Sequence, residues 1–294
     1  MNKTSNNRKG QEMAEALPQH WVEELVSIVE EAGSAILEVY NSNFEVQTKS
    51  DESPLTQADL AAHRVIVRGL QALSPQLPII SEESTPPDFA ERSSWQRYWL
   101  VDPLDGTKEF VNRNGEFTVN IALIDAHQPV FGIVGVPVQG KIYIGDTGQT
   151  DLALRAYVIE KEQRRELRGQ VEDTRQGPLR VVASRNHGGQ RLEDYLADVE
   201  ARFENCQRTP VGSSLKLCVL AEGGADIYPR LGLTSEWDIG AAQAVLTAAG
   251  GAVYTPDGQV LRYNTKDSLL NPEFLAVGDA SYSWQDRLPA FPEK

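Results

Sequence analysis

Cysteine is scarce in this sequence: Cys206 and Cys218 are the only two in 294 residues. Neither belongs to a CxxC pair, so a disulfide scaffold is excluded and two reduced thiols with packing roles are expected. Positive charge is scarce as well. Against 42 Asp and Glu stand 28 Lys and Arg, a net charge of −14. That excludes a non-specific nucleic-acid binder, which needs a basic face, and it disfavours attraction to anionic lipid. Long apolar runs are missing. The longest, residues 130–138, is too short to cross a bilayer and contains Gly and Pro. Residues 1–10 are polar without a hydrophobic core, so no signal peptide is expected there. His20, His63, His127 and His187 lack metal-ligand spacing, and His63 reads as a helix-surface residue. There is no internal repeat and no low-complexity tract.

The length allows one large domain or two ordinary ones. Residues 1–17 read as a disordered lead-in, 18–160 as helices on a mostly antiparallel sheet, and 178–294 as an α/β half. Between the halves, 161–177 is a charged, solvated excursion and the candidate boundary. Helical spacing predicts helices over 21–40 and 56–73. Strands are expected at 79–80, 98–101, 117–124, and in a hairpin formed by 130–137 and 141–144. Residues 84–96 read as loop. After Pro178 come strand 179–183, helix 190–199, a turn at 210–213, helix 215–221, strand 225–228 and helix 239–249, which Gly250-Gly251 stops.

The most informative stretch is Trp99-Leu100-Val101-Asp102-Pro103-Leu104-Asp105-Gly106-Thr107. An apolar strand ends in two carboxylates on a turn that Pro103 and Gly106 make rigid. Such a pair repels unless a cation lies between its members, and oxygen-only ligands suit magnesium. The pentapeptide alone also suits an ordinary β-turn. Its companions favour a cluster. Glu82 follows an apolar strand as Asp102 does, Asp238 lies at the start of a small-residue helix as a candidate N-cap, and Asp59 lies in the first turn of another helix. The fitting chemistry is metal-assisted phosphoryl hydrolysis, with two magnesium ions clamping phosphate and acidifying a water. Thr107 paired with Asp59 would orient and deprotonate that water, without a covalent nucleophile.

Other motifs carry less. Gly135 to Lys141 nearly spells a phosphate-binding P-loop, but Ile142 stands where Ser or Thr is required and the flanks read as a hairpin. Ser213-Ser214-Leu215-Lys216 fits S-x-x-K without its partner motifs.

The segments Thr56-Gln57-Ala58-Asp59, Ser81-Glu82-Glu83-Ser84, 99–107 and Glu236-Trp237-Asp238-Ile239-Gly240-Ala241 together resemble the inositol monophosphatase superfamily of magnesium-dependent, lithium-sensitive phosphatases. The likeness runs over about residues 20–278. It implies a layered α-β-α-β-α sandwich of the α/β (α+β) class. It also implies two or three Mg²⁺ held by Glu82, Asp102, the Leu104 carbonyl, Asp105 and Asp238, with Asp59 and Thr107 activating water. Glu82, Leu104, Asp105, Gly106, Thr107 and Asp238 would also touch substrate.

Residues 106–110, 114–123, 184–187, 212–216 and 228–230 resemble the bacterial 3'(2'),5'-bisphosphate nucleotidase branch, which hydrolyses adenosine 3',5'-bisphosphate, a by-product of sulfate assimilation, to AMP. That adds 3'-phosphoadenylyl sulfate as a further candidate substrate, and Ser184 and His187 as nucleotide contacts. Asn186 departs from the branch's pattern. Physical chemistry points the same way. Gly212, Ser213 and Ser214 open a helix whose amides suit an anion, Lys216 lies in its first turn, and Arg230 offers a fork of donors. Alternatives are an inositol phosphate or fructose 1,6-bisphosphate as substrate, and a non-catalytic nucleotide or metal sensor. The expected location is cytoplasmic, with peripheral attachment to the inner membrane and a homodimer left open.

Overall fold

The computed structural model describes residues 15–42, 54–169, 177–183, 189–203 and 205–293. Two long helices open it, α1 (Gln19–Tyr40) and α2 (Pro54–Leu73). Val22, Leu25, Val29, Ala32 and Ile36 bury one face of α1, and Ala58, Ala62, Ile66 and Leu70 one face of α2. Both sets follow the helical repeat. Seven strands pair in chain order into one sheet: β1 (Ile79–Ser81), β2 (Arg97–Asp105), β3 (Thr118–Asp125), β4 (Gln128–Val136), β5 (Lys141–Asp146), β6 (Ala156–Glu160) and β7 (Gln163–Glu166). β1 joins β2 in parallel, and the other pairs are antiparallel. Short helices α3 (Phe89–Arg92), α4 (Thr107–Val111) and α5 (Leu152–Arg155) lie in the connections.

The rest of the chain builds β8 (Leu179–Ala183), α6 (Gly189–Arg202), β9 (Cys206–Pro210), α7 (Leu215–Ala221), β10 (Ile227–Arg230), α8 (Glu236–Ala248), β11 (Ala252–Tyr254) and β12 (Phe274–Val277). Its five strands stand in the order β11-β12-β10-β8-β9. Three buried clusters separate five layers. Trp99, Val101, Ile121 and Ile133 face α1 and α2. Tyr98, Leu100, Ala122 and Val134, the alternate residues of the same strands, face α7, α8 and the inner side of the second sheet. Leu179, Val181 and Ile227 face α6. Both faces of the central strands are therefore covered, which is why they read as continuous apolar runs.

α8 is apolar nearly all round, as a helix between two sheets must be. It lies against the backbone of β4 and β5. A Cβ at Gly132 would collide with the Ala241 carbonyl, and one at Gly145 with the Val245 Cα.

Several expectations change. The 84–96 loop contains α3. Within the 161–177 excursion, Gln163–Glu166 is the edge strand β7, paired with β6, and Leu167 is buried. The P-loop look-alike is, as expected, the turn of the β4–β5 hairpin, with a short 3-10 segment at Pro137–Gln139. β2 does not stop at Asp102 but continues to Asp105. α2 begins at Pro54, so Asp59 falls in its second turn. No helix among the described residues is long and apolar enough to cross a membrane.

Candidate active site

β2 carries the centre of the site, and an irregularity in its pairing shapes it. Asp102 pairs with Asn120, and Asp105 with Thr118, so three steps on β2 match two on β3. In a regular strand, residues three apart point to opposite faces. The extra residue of this bulge turns Asp105 to the side of Asp102, toward α7 and α8. Pro103 has no N–H to lose there, and the Leu104 amide donates to Asp102 Oδ1 at 3.0 Å. The Leu104 side chain packs with the α1/α2 cluster while the residue also lines the cleft, leaving its main chain to face it. Gly106 follows with φ +102°, a left-handed conformation that suits glycine, and starts α4 at Thr107.

Glu82 arrives through the parallel pairing of β1 with β2. Ser81 is opposite Val101, and the Glu82 amide donates to the Val101 carbonyl at 3.1 Å. Glu82 therefore stands beside Asp102. Asp238 comes from the start of α8. The N-cap there is Ser235, not Asp238; Asp238 is the third residue of a capping box, its Oδ2 accepting the Ser235 amide at 2.9 Å.

One cleft of about 380 Å³ gathers Glu82, Asp102, Leu104, Asp105, Gly106, Thr107, Ser213, Ser214, Lys216, Arg230 and Asp238. Of the sequence-predicted residues, Ser184 and His187 lie outside the described ones, and Asp59 stands behind the cleft rather than lining it. Burial, and after it the charges of Glu83 and Glu82, push the Asp59 pKa to about 8. No hydrogen bond joins it to Thr107, which is exposed at the cleft rim.

The cleft has two electrical ends. Asp102 is 1 % exposed. Burial, then the charges of Asp105, Glu82, Asp238 and Asp59, hold its carboxyl well above the usual range. Glu82, though it reaches solvent, is raised too, first by partial desolvation and then by the charges of Asp105 and Glu83. Among the described residues no cation offsets either group. At the other end burial lifts Asp105 to about 7 and Asp238 to about 6, while Lys216 pulls both down, helped at Asp238 by Arg230. Lys216 is buried, which lowers it to about 8; its Nζ donates to the Ser213 carbonyl at 2.7 Å.

A divalent cation fits the first end. The donor set is oxygen only, and the carboxylates there lack the compensating charge that would let them ionise together. Among the described residues no three His, Cys, Asp or Glu side chains already stand in a closed metal-holding arrangement.

Ser214 holds the wall rather than reaching in. Its amide donates to Asp105 Oδ2 at 2.5 Å, and its hydroxyl donates to Asn120 Oδ1 at 2.7 Å and meets Thr118 Oγ1 at 2.8 Å. The Gly212 amide is likewise taken by Glu116, at 2.7 Å. The amides expected to await an anion are thus engaged by the protein's own carboxylates. Thr118 and Asn120 were not singled out from the sequence. The signal was available: two polar residues two apart in an otherwise apolar strand share a buried face and need partners. His63 is also corrected. It is half-buried, and its Nδ1 lies 2.9 Å from Ser81 Oγ, next to Glu82.

The profile of the inositol monophosphatase family matches residues 17–287. The chain belongs to this family. A relative from Escherichia coli K12, the 3'(2'),5'-bisphosphate nucleotidase CysQ, is 46 % identical over 255 residues, covering 86 % of this chain and 98 % of the relative. The protein of the same name from Haemophilus influenzae is 32 % identical over 272 residues, 92 % of this chain and 97 % of its own. Among solved structures, CysQ from Bacteroides thetaiotaomicron superposes with a TM-score of 0.79 at 37 % identity, covering 88 % of this chain and 97 % of that one. An inositol monophosphatase from Zymomonas mobilis shares the fold, with a TM-score of 0.71 at 20 % identity over 90 % of this chain and 94 % of its own. Membership in the family accords with the α-β-α-β-α layering.

Proposed function

We propose that the chain is a magnesium-dependent phosphatase that removes the 3'-phosphate of adenosine 3',5'-bisphosphate, giving AMP and phosphate, with 3'-phosphoadenylyl sulfate as a second substrate. The observation that carries this reading is the single cleft that brings Lys216 and Arg230 together with Glu82, Asp102, Asp105 and Asp238. Glu82 and Asp102 lack any described counter-cation, while Lys216 and Arg230 attend Asp105 and Asp238. A substrate with two phosphates matches such a cleft, one phosphate going to each end. The relatives named as bisphosphate nucleotidases support the same choice over inositol phosphate or fructose 1,6-bisphosphate.

Glu82, Asp102, the Leu104 carbonyl, Asp105 and Asp238 would hold two or three Mg²⁺. Bound magnesium neutralises phosphate charge, favours ionisation of a water and stabilises the leaving oxygen. The chain's own groups do the rest. Thr107 orients the attacking water through its hydroxyl, and Asp59 takes up the proton. The water oxygen bonds to phosphorus as the bond from phosphorus to the ribose 3'-oxygen breaks; that oxygen takes a proton from a second water to become the 3'-hydroxyl of AMP, and Asp59 returns its proton to solvent. Lys216 and Arg230 hold the 5'-phosphate by charge. Ser184 and His187 are assigned to nucleotide contacts.

Phosphate release with Mg²⁺ tests the proposal over adenosine 3',5'-bisphosphate, inositol 1-phosphate and fructose 1,6-bisphosphate. The nucleotide should lead in kcat/KM by at least about tenfold, the effect of one good charge-assisted contact. Equal or greater turnover of the inositol compound would overturn the substrate assignment.

A further inference from the structure

The cleft is lined mainly by charged and polar groups, yet a nucleotide is half apolar: its base presents two flat faces. Five residues with larger apolar or aromatic side chains line the cleft, Leu104 by its main chain, and with it Leu217, Tyr228, Leu233 and Ile239. Four are already covered. Leu104, Leu217, Tyr228 and Ile239 are buried in the protein interior, whereas Leu233 is 72 % exposed. Among the described residues, no other large hydrophobic side chain is so exposed. Leu233 alone would be ordinary, but it stands on the lining of a charged cleft, where a flat apolar ligand face would cover it.

Leu233 is also held in place. It belongs to the short connection between β10 and α8, and Arg230 clasps that connection from below. Arg230 Nε donates to the Gly232 carbonyl at 3.2 Å, and a terminal nitrogen donates to the Leu233 carbonyl at 2.7 Å. These bonds use the main chain, so the Leu233 side chain is free to vary without loosening them. The same guanidinium lies near Asp238 at the cation end of the cleft. Arg230 thus couples the position of the ledge to the place where the second phosphate is expected.

We infer that Leu233 is the apolar ledge on which the nucleobase lies, and that it determines preference for a nucleoside bisphosphate over a base-free sugar phosphate. This rests on the nucleotide reading above. A purine face laid against a leucine side chain removes apolar area from water on both partners. A base-free sugar phosphate has nothing to place there. Arg230 acts as the positioning residue of the ledge as well as a cation for phosphate.

The test compares the wild type with Leu233→Ser and Leu233→Met, each on adenosine 3',5'-bisphosphate and on the corresponding abasic 3',5'-bisphosphate. Calorimetric binding of AMP and of ribose 5-phosphate supplies a readout independent of turnover. Leu233→Ser should raise KM for the nucleotide and Kd for AMP about fivefold to tenfold, the effect of one exposed leucine contact. kcat and both base-free ligands should stay unchanged, and Leu233→Met should restore nucleotide binding. Equal weakening of nucleotide and abasic ligands, or no change in either, overturns the ledge alone. A wild type that releases phosphate from inositol 1-phosphate but not from the nucleotide overturns the ledge together with the nucleotide reading, and is recognised before any variant is made.

Discussion

Glu82 and Asp102 stand side by side because β1 and β2 run parallel in a register that places Ser81 opposite Val101. Burial raises the Asp102 carboxyl, and Glu82, though it reaches solvent, is raised as well by partial desolvation. Two acids so placed repel each other once both are ionised, and a cation between them offsets that repulsion. Activity and stability should therefore respond in opposite directions to loss of one of them.

Replacing Asp102 by Asn tests that opposition. With Mg²⁺ saturating, kcat should fall on the order of a thousandfold, since a group central to charge stabilisation is gone. Without metal the variant should melt at the same temperature as the wild type or higher, because a buried carboxyl that resists ionisation is replaced by a neutral isostere. Steady-state kinetics and thermal melts check the two halves. Wild-type kcat in the variant would remove Asp102 from the site.

The pH dependence follows from the raised carboxyls. Asp59, Asp105 and Asp238 lie at about 8, 7 and 6, against an ordinary value of 3.8. The folded chain thus binds protons more tightly than the unfolded one. Stability of the metal-free protein should fall as pH rises from about 4 to about 8, and level off above that. Mg²⁺ favours the ionised carboxylates, so its stabilisation should grow over the same window. Melting curves at pH 5.5 and 8.5, with and without Mg²⁺, show this as a larger metal-induced shift at 8.5. A shift independent of pH would contradict the coupling.

Lys216→Met keeps the length of a buried side chain and removes its charge. The KM for adenosine 3',5'-bisphosphate should rise by about tenfold or more, the effect of one charged partner. That for a simple aryl phosphate monoester should move less than about twofold. Parallel kinetics on the two substrates decide it, and equal losses would mean that Lys216 serves only Asp105.

Much of this architecture is legible in the sequence where a segment's pattern is local. The spacing of apolar residues in α1 and α2, and the small-residue run of α8, depend on near neighbours alone. β8 and α7 fall on the predicted residues, 179–183 and 215–221. β7 does not show itself, because Gln163-Arg164-Arg165-Glu166 is an edge strand with exposed side chains and no alternation. The bulge between Asp102 and Asp105 exists only relative to β3. The locking of Ser214 to Asn120 and Thr118 joins residues more than 90 apart. The acids of the site could be named from their motifs, but their convergence is a property of registers that no single segment contains.

The glycines under α8 supply a test of the fold. Gly132→Ala should destabilise by at least about 2 kcal/mol, because the new methyl meets the Ala241 carbonyl rather than a flexible side chain. Denaturant unfolding checks it. A neutral result would mean that α8 sits further from β4 than described.

The central claim is that Glu82, Asp102, Asp105 and Asp238 share magnesium in one cleft. A crystal of the protein soaked with Mn²⁺, AMP and phosphate, and measured for anomalous scattering, tests it most directly. The account predicts metal peaks about 2.1 Å from carboxylate oxygens of Glu82, Asp102 and Asp105, with Asp238 completing the set, a spacing typical of small octahedral cations. Metal peaks elsewhere, or none at these carboxylates with the ligands bound, would contradict it.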